Sequence, residues 1–221
     1  MEPEGIPRLR PVSLGAHFEV AALVANILSI PPVHDETEAL AVFCGMGETW
    51  RLDHVLSVWD RNRRKQPCIV AGVNPREKSY RPLSEHLREH DVLGDDNLTL
   101  REPFGNARDQ AVWLAEVARK RALSSIALFV PAYHLPRAYL TVLRAFKDLG
   151  LWKHVLLIPV PTCVPPNRIV PEVGQSAQTL VAGEFERIVK YQEAGHVATL
   201  VELNDYLAWA WEQPILARRV F

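Results

Sequence analysis

An alternation of short apolar runs with helical spacing constrains this chain most. The runs are Ala39 to Cys44, Cys68 to Ala71, Leu98 to Arg101, Ile126 to Val130 and Val155 to Val160. Largely apolar runs of this length, bounded by turn residues, read as strands buried in a sheet. Leu52, Val55, Leu56 and Trp59 recur at helical spacing after the first run, and Arg61 to Lys65 places basic charge at the negative end of that helix dipole. A polar helix is expected from about Arg81 to His90. Asn106 serves as N-cap for a helix with Asp109 in its first turn and Ala111, Leu114, Ala115 and Ala118 on one face. Tyr139 to Gly150 again carries helical spacing. Strands joined through helices require right-handed crossovers and parallel pairing. The expected fold class is therefore α/β, a three-layer Rossmann-like sandwich around a parallel sheet of about five strands, with N- and C-terminal helices.

The flanks divide the chain into three parts: 1–38 as an N-terminal arm and helix, 39–174 as the Rossmann-like domain, and 175–221 as C-terminal helices packed on the same domain. Met1 to Val12, rich in proline and charge, is expected to be an arm. Ser13 caps a helix from about Gly15 to Ile30 with Phe18, Ala21, Ala25 and Leu28 as its apolar stripe, and Pro31-Pro32 stops it. Pro161 to Gly174 holds four prolines and no periodicity, which is long for a plain connector and suggests a lid or binding loop. Of two terminal helices, the second opens on the capping box Thr199-Leu200-Val201-Glu202 and displays Leu203, Leu207 and Trp211 before Pro214.

Charge excludes some function classes. With 25 Lys+Arg against 26 Asp+Glu, the chain has no general attraction to nucleic acid or anionic lipid. Three separated cysteines, Cys44, Cys68 and Cys163, give neither a disulfide framework nor a cysteine zinc site and suit a reducing compartment. Phe18 to Ile30 is too short and too polar for a membrane span, and Arg8 and Arg10 do not begin a convincing secretory signal. The expected location is cytoplasmic.

In open α/β sheets, ligands collect where strands end and helices begin. The stretch Val130-Pro131-Ala132-Tyr133-His134-Leu135-Pro136-Arg137-Ala138 puts three reactive side chains at such a junction. His134 can act as acid, base or hydrogen-bond donor. Arg137 and Arg51, each in a helix's first turn, can clamp a carboxylate or phosphate. Gly45-Met46-Gly47 stands where a phosphate-cradling turn would, although Trp50 occupies the place of the third glycine of a dinucleotide fingerprint. Glu102 offers a carboxylate to ribose hydroxyls or an amine, and Asn74 can hydrogen-bond a ligand. Cys44 is a nucleophile if a base lies nearby, and otherwise packs. His86 and His90 stand at i and i+4 but without the H-E-x-x-H pattern, so a solvated helix face is expected and no metal.

Taken in order, these elements resemble the YdcF/SanA/ElyC-like family, a bacterial domain of unknown function. Gly45, Gly47 and Arg51 match its Gly-rich turn followed by Arg, and Gly72 stands in its second strand end. Glu102 precedes a segment that keeps Asn106 and Ala111 of the family's Ser-x-Asn-Thr-x-Glu-Asn-Ala. Tyr133-His134-Leu135-Pro136-Arg137-Ala138 matches its Tyr-His-Met-x-Arg-Ala. The likeness spans about residues 39 to 160. Val130 and Pro131 replace Thr-Ser, and Ala107, Asp109 and Gln110 replace Thr, Glu and Asn. The chain looks like the soluble, YdcF-like branch without an N-terminal anchor.

The resemblance implies a small-molecule site at the strand-end rim, for an anionic or adenosyl ligand such as S-adenosylmethionine. Catalytic roles would fall to His134, Arg137 and Glu102. Gly45, Gly47, Arg51, Gly72, Asn74, Asn106 and Tyr133 would bind the cofactor. A transferase using S-adenosylmethionine or another nucleotide-linked donor is the first enzymatic expectation. The alternatives are a hydrolase or phosphatase-like enzyme on a phosphorylated or lipid-linked envelope precursor, and a non-catalytic sensor, with a homodimer contact through Trp209 and Trp211.

Overall fold

The computed structural model describes residues 13–219; the arm expected over Met1 to Val12 lies outside them. In chain order the elements begin α1 (Leu14–Leu28), β1 (Ala39–Phe43), α2 (Trp50–Arg61), β2 (Cys68–Ala71), α3 (Leu83–Glu89) and β3 (Leu98–Arg101). They continue with α4 (Ala107–Lys120), β4 (Ser125–Pro131), α5 (Leu135–Asp148) and β5 (Leu156–Thr162). The C-terminal part holds the short strands β6 (Ile169–Val170) and β7 (Gln175–Ser176), then α6 (Ala177–Glu193), α7 (Leu200–Ala210) and α8 (Pro214–Ala217).

Five strands pair in the order β3-β2-β1-β4-β5, and every pairing is parallel. The expected Rossmann-like α/β sandwich is present. Every residue of β1, β2 and β4 is buried, as near-continuous apolar strands covered on both faces must be. β3, Leu98-Thr99-Leu100-Arg101, is only half-buried and lies at the edge. Crossovers through α2 and α3 build the sheet outward from β1 in one direction, and α5 leads from β4 to β5 in the other. With right-handed connections, the two sets of helices cover opposite faces. α2 packs on β1, β4 and β5, whereas α4 and α5 pack together over the other face, with α1, α6 and α7 outside them.

Two local readings need correction. α5 starts at Leu135, earlier than the spacing from Tyr139 suggests, because Pro136 has its fixed φ in the first turn, where no intrahelical donor is lost. In α1 the Ser13 cap is as expected, but the buried face is Val20, Leu23 and Ile27. Phe18 and Leu28, assigned to the inner stripe, are exposed, as are Ala21 and Ala25. The helix is apolar nearly all round, so its periodicity could not select a face.

Pro161 to Gly174 is not a plain loop. β5 runs through Thr162, and the segment then supplies β6, which pairs antiparallel with β7 just beyond Gly174. Its Glu172 carboxylate accepts the backbone N–H groups of Lys78 (3.1 Å) and Ser79 (2.8 Å) and the Ser79 hydroxyl (2.7 Å). The Ser79 bonds hold this carboxyl below its usual range. Trp209 and Trp211, the expected dimer contact, are half-buried against the chain's own core. Among the described residues, no helix is long and apolar enough to cross a membrane.

Candidate functional site

β1 and β4 are neighbours whose chains depart in opposite directions, so a crevice opens beyond their C-terminal ends. This strand order brings the Gly45 turn, after β1, beside Tyr133 and His134, after β4. A cavity of about 240 Å³ lies there, and its lining includes Gly45, Arg51, Asn74, Tyr133, His134 and Arg137. Asn106 also lines it, together with Glu77, whose carboxylate was a lesser ligand candidate, and with Gln110 and Arg187, to which the sequence had assigned no site role.

The floor is held by buried charge. Arg51, 3% exposed, donates Nη1–H to the Phe43 carbonyl (2.6 Å) and pairs with the buried Glu48 carboxylate through Nη2. Tyr133 donates its hydroxyl to the same carboxylate (3.0 Å). Burial pulls the Arg51 guanidinium below its ordinary value and pushes the Tyr133 phenol up. Arg51 is therefore committed to the chain that surrounds it. It holds the end of β1 and the start of α2 together, and is not a free clamp.

The wall is a second network. Glu184, on α6, receives Arg137 through Nε (2.5 Å) and Nη2 (3.2 Å), and Arg187 through Nη1 (2.7 Å). His134 Nδ1 lies 3.2 Å from Glu184 Oε2 and 3.0 Å from Arg137 Nη2. Burial alone would raise the Glu184 carboxyl, but bonds from His134 and Arg137 outweigh it and hold the group well below the carboxylate range. His134 is driven the other way. Burial first, and then the Arg137 charge, lower it to about 4, so the ring is neutral near pH 7. Its Nδ1 is engaged in either tautomer, and Nε2 makes no hydrogen bond to any described residue. A neutral imidazole with one free nitrogen can donate or accept a hydrogen bond to a ligand.

Glu77 fills the place expected for an anion at the turn. Its Oε2 accepts the Met46 N–H (2.6 Å), and burial raises its pKa. The cradling donor is satisfied internally, and an incoming phosphate would have to displace this carboxylate. Gly47 is required on other grounds: φ is +69°, and a Cβ would meet Ser79 Cβ at 2.7 Å and Pro171 Cβ at 2.9 Å. The turn is thus clamped between the 77–80 loop and the β6–β7 segment.

Several expected residues have structural duties. Gly72 does not line the cavity; a Cβ there would stand 2.3 Å from Glu102 Cβ, so the glycine lets the chains after β2 and β3 approach. Glu102 lies beyond the edge strand, does not line the cavity, and accepts the Leu83 N–H at the start of α3 (3.2 Å). Asn106 is the α4 N-cap, accepting from Arg108 N (2.8 Å) and Asp109 N (3.0 Å). Asn74 joins two rim loops by donating to the Gly105 carbonyl (2.8 Å). Gln110, a departure from the resembled pattern, donates Nε2–H to the carbonyls of Cys44 (2.8 Å) and Gly72 (2.6 Å) and so ties the ends of β1 and β2. Cys44 is buried, and burial pushes its thiol up to about 12, which removes the nucleophile reading.

A second cavity of about 730 Å³ adjoins the first and shares Phe104, Asn106 and Arg137 with it. Trp113, Tyr191 and Val197 give this space a partly aromatic lining. Phe104 and Trp113 are in tilted contact with centroids 5.4 Å apart, and the Arg137 guanidinium lies 5.8 Å from the Tyr191 centroid. Glu184, which the sequence did not single out, had one usable signal. It is buried with Ala177, Leu180 and Ile188 along one stripe of α6, and a carboxylate on a core-facing stripe needs a partner. Compared with protein-family models and with curated proteins, the sequence matches none.

Proposed function

We propose that the chain binds a small molecule bearing an anionic or otherwise polar head and a larger planar body. S-adenosylmethionine is the first candidate, and transfer from it the first candidate reaction. The observation that carries this reading is Arg137, which lines both the 240 Å³ cavity and the 730 Å³ cavity. A head group would sit by His134 Nε2 and the half-exposed Arg187. An adenine-like body would lie among Phe104, Trp113 and Tyr191, where ring faces favour stacking. The smaller cavity alone falls below the roughly 300 Å³ typical of ligand sites, and the two together do not. The motif likeness to YdcF-type proteins supports the same ligand class.

Charge near the head-group site is balanced. Arg51, Arg137 and Arg187 face Glu48, Glu77 and Glu184. Anion binding would therefore rest on oriented donors more than on a net positive field. His134, neutral and lowered to about 4, is a poor general acid near pH 7. This weighs against the hydrolase or phosphatase-like alternative, which gains support only from the free Nε2 beside two arginines.

A ligand-panel thermal shift on the full chain tests the proposal. A ligand at about a hundredfold its Kd adds roughly 2.7 kcal/mol, a shift of about 2–4 °C per kcal/mol for a domain of this size. S-adenosylmethionine should stabilise the wild type, with the shift lost in His134→Ala and reduced in Arg187→Ala. Stabilisation by phosphoesters with turnover would favour the hydrolase reading, and binding without turnover a sensor. The rim site is refuted if ligand shifts persist unchanged in both variants.

A further inference from the structure

Asp53, His86 and His90 meet on the face of the sheet opposite α4 and α5, apart from the cavity proposed above. Asp53 is in the first turn of α2, His86 lies within α3, and His90 is the α3 C-cap. The i, i+4 spacing puts both imidazoles on one side of α3, and α2 supplies the carboxylate. Asp53 Oδ1 lies 2.6 Å from His86 Nε2 and 3.4 Å from His90 Nε2. One ligand atom from each residue falls within 4.8 Å of the others. The rings are tilted, with centroids 4.8 Å apart.

We propose that these residues form a site for a divalent transition metal, with zinc as the reference ion. Zinc bonds of about 2.0–2.2 Å at tetrahedral angles place donors roughly 3.4 Å apart. The Asp53–His90 separation already has that value, and the Asp53–His86 hydrogen bond needs to open by less than about 1 Å. Two imidazole nitrogens and one carboxylate oxygen suit zinc or ferrous iron, whereas magnesium and calcium favour all-oxygen shells. Glu89 Oε2 stands 4.0 Å from His86 Nδ1. A carboxylate on that side favours the tautomer whose Nε2 lone pair faces the metal.

Three protein ligands leave a coordination position open. His86 also lines a separate cavity of about 360 Å³ that reaches Ser79, Tyr80 and the Gly45–Gly47 turn. A water or a ligand oxygen from that cavity would complete the shell, making this an open site and not a closed structural one. The three side chains are between one-fifth and one-half exposed, so exchange with solvent metal needs no unfolding. An ordinary surface ion pair would have the same apo geometry, but no metal dependence.

The test is isothermal titration of the full-length, tag-free chain with zinc chloride after chelator treatment, with cobalt(II) absorption as a second readout. About one zinc should bind per chain. Asp53→Asn, His86→Gln and His90→Gln should each weaken binding by at least roughly tenfold and reduce the intense visible bands of low-symmetry cobalt. Arg137→Ala should leave zinc binding unchanged, which separates this site from the rim cavity. Circular dichroism of each variant checks that folding is retained. The site is disproved if the folded wild type takes up no zinc, or if zinc binds equally well to the three folded variants.

Discussion

His134 should make the folded state sensitive to mild acid in a calculable way. Its folded value is lowered to about 4 from a reference of 6.5. The unfolded chain therefore binds this proton first as pH falls, and protonation favours unfolding. The contribution to stability is complete above the unfolded value and is lost as pH falls through the folded one. Integrating the linkage between about pH 7 and about pH 5 gives a loss of about 2 kcal/mol from this residue alone. Other titrating groups act over the same interval, so the informative quantity is a double difference. Urea unfolding of the wild type and of His134→Gln, each at both pH values, isolates the histidine. With a slope of roughly 2–3 kcal/mol per M urea, the wild-type midpoint should fall by just under about 1 M more than that of the variant. Equal falls in the two proteins would refute a neutral, buried His134, and with it the imidazole that could accept a hydrogen bond from the proposed ligand.

Other predictions follow from specific contacts. Gln110→Ala leaves the Cys44 and Gly72 carbonyls without their side-chain donor and should cost about 1–3 kcal/mol in chemical denaturation. Gly47→Ala should destabilise by a similar amount, roughly 1–3 kcal/mol, since the new Cβ meets Ser79 and Pro171 at a positive φ. Native thiol titration should modify Cys163 alone, because Cys44 and Cys68 are buried; the other two should react only in denaturant. Glu172→Ala should speed hydrogen exchange at Lys78 and Ser79, whose N–H groups it accepts, while amides of β4 stay protected.

The sequence carried the sheet better than the site. β2 and β3 are bounded as their apolar runs suggest, since turn residues stand at both ends of each. α4 begins where the Asn106 cap places it. Tyr133, His134 and Arg137 were visible because a strand run stops abruptly at reactive side chains. Their chemistry was not visible. His134 and Arg137 are both held by Glu184, 47 residues beyond Arg137, and local spacing reports nothing about such pairings. Glu102 and Gly72 looked ligand-facing because strand ends generally do. The strand order that moves Glu102 to the sheet edge depends on long-range pairing. The histidine pair on α3 was legible as a pair, but its carboxylate partner came from α2.

The position of Glu184 on α6 also determines how this protein can be cut. Boundaries drawn from strands alone end the sandwich near residue 174, with the last helices as an appendix. A transplant or fusion stopping there would keep all five strands of the parallel sheet and yet leave Arg137 without its counter-ion, beside a histidine lacking its carboxylate neighbour. The unit to move is thus longer than the sheet, and a cut that respects only the βα rhythm would keep the strands while discarding part of the candidate site.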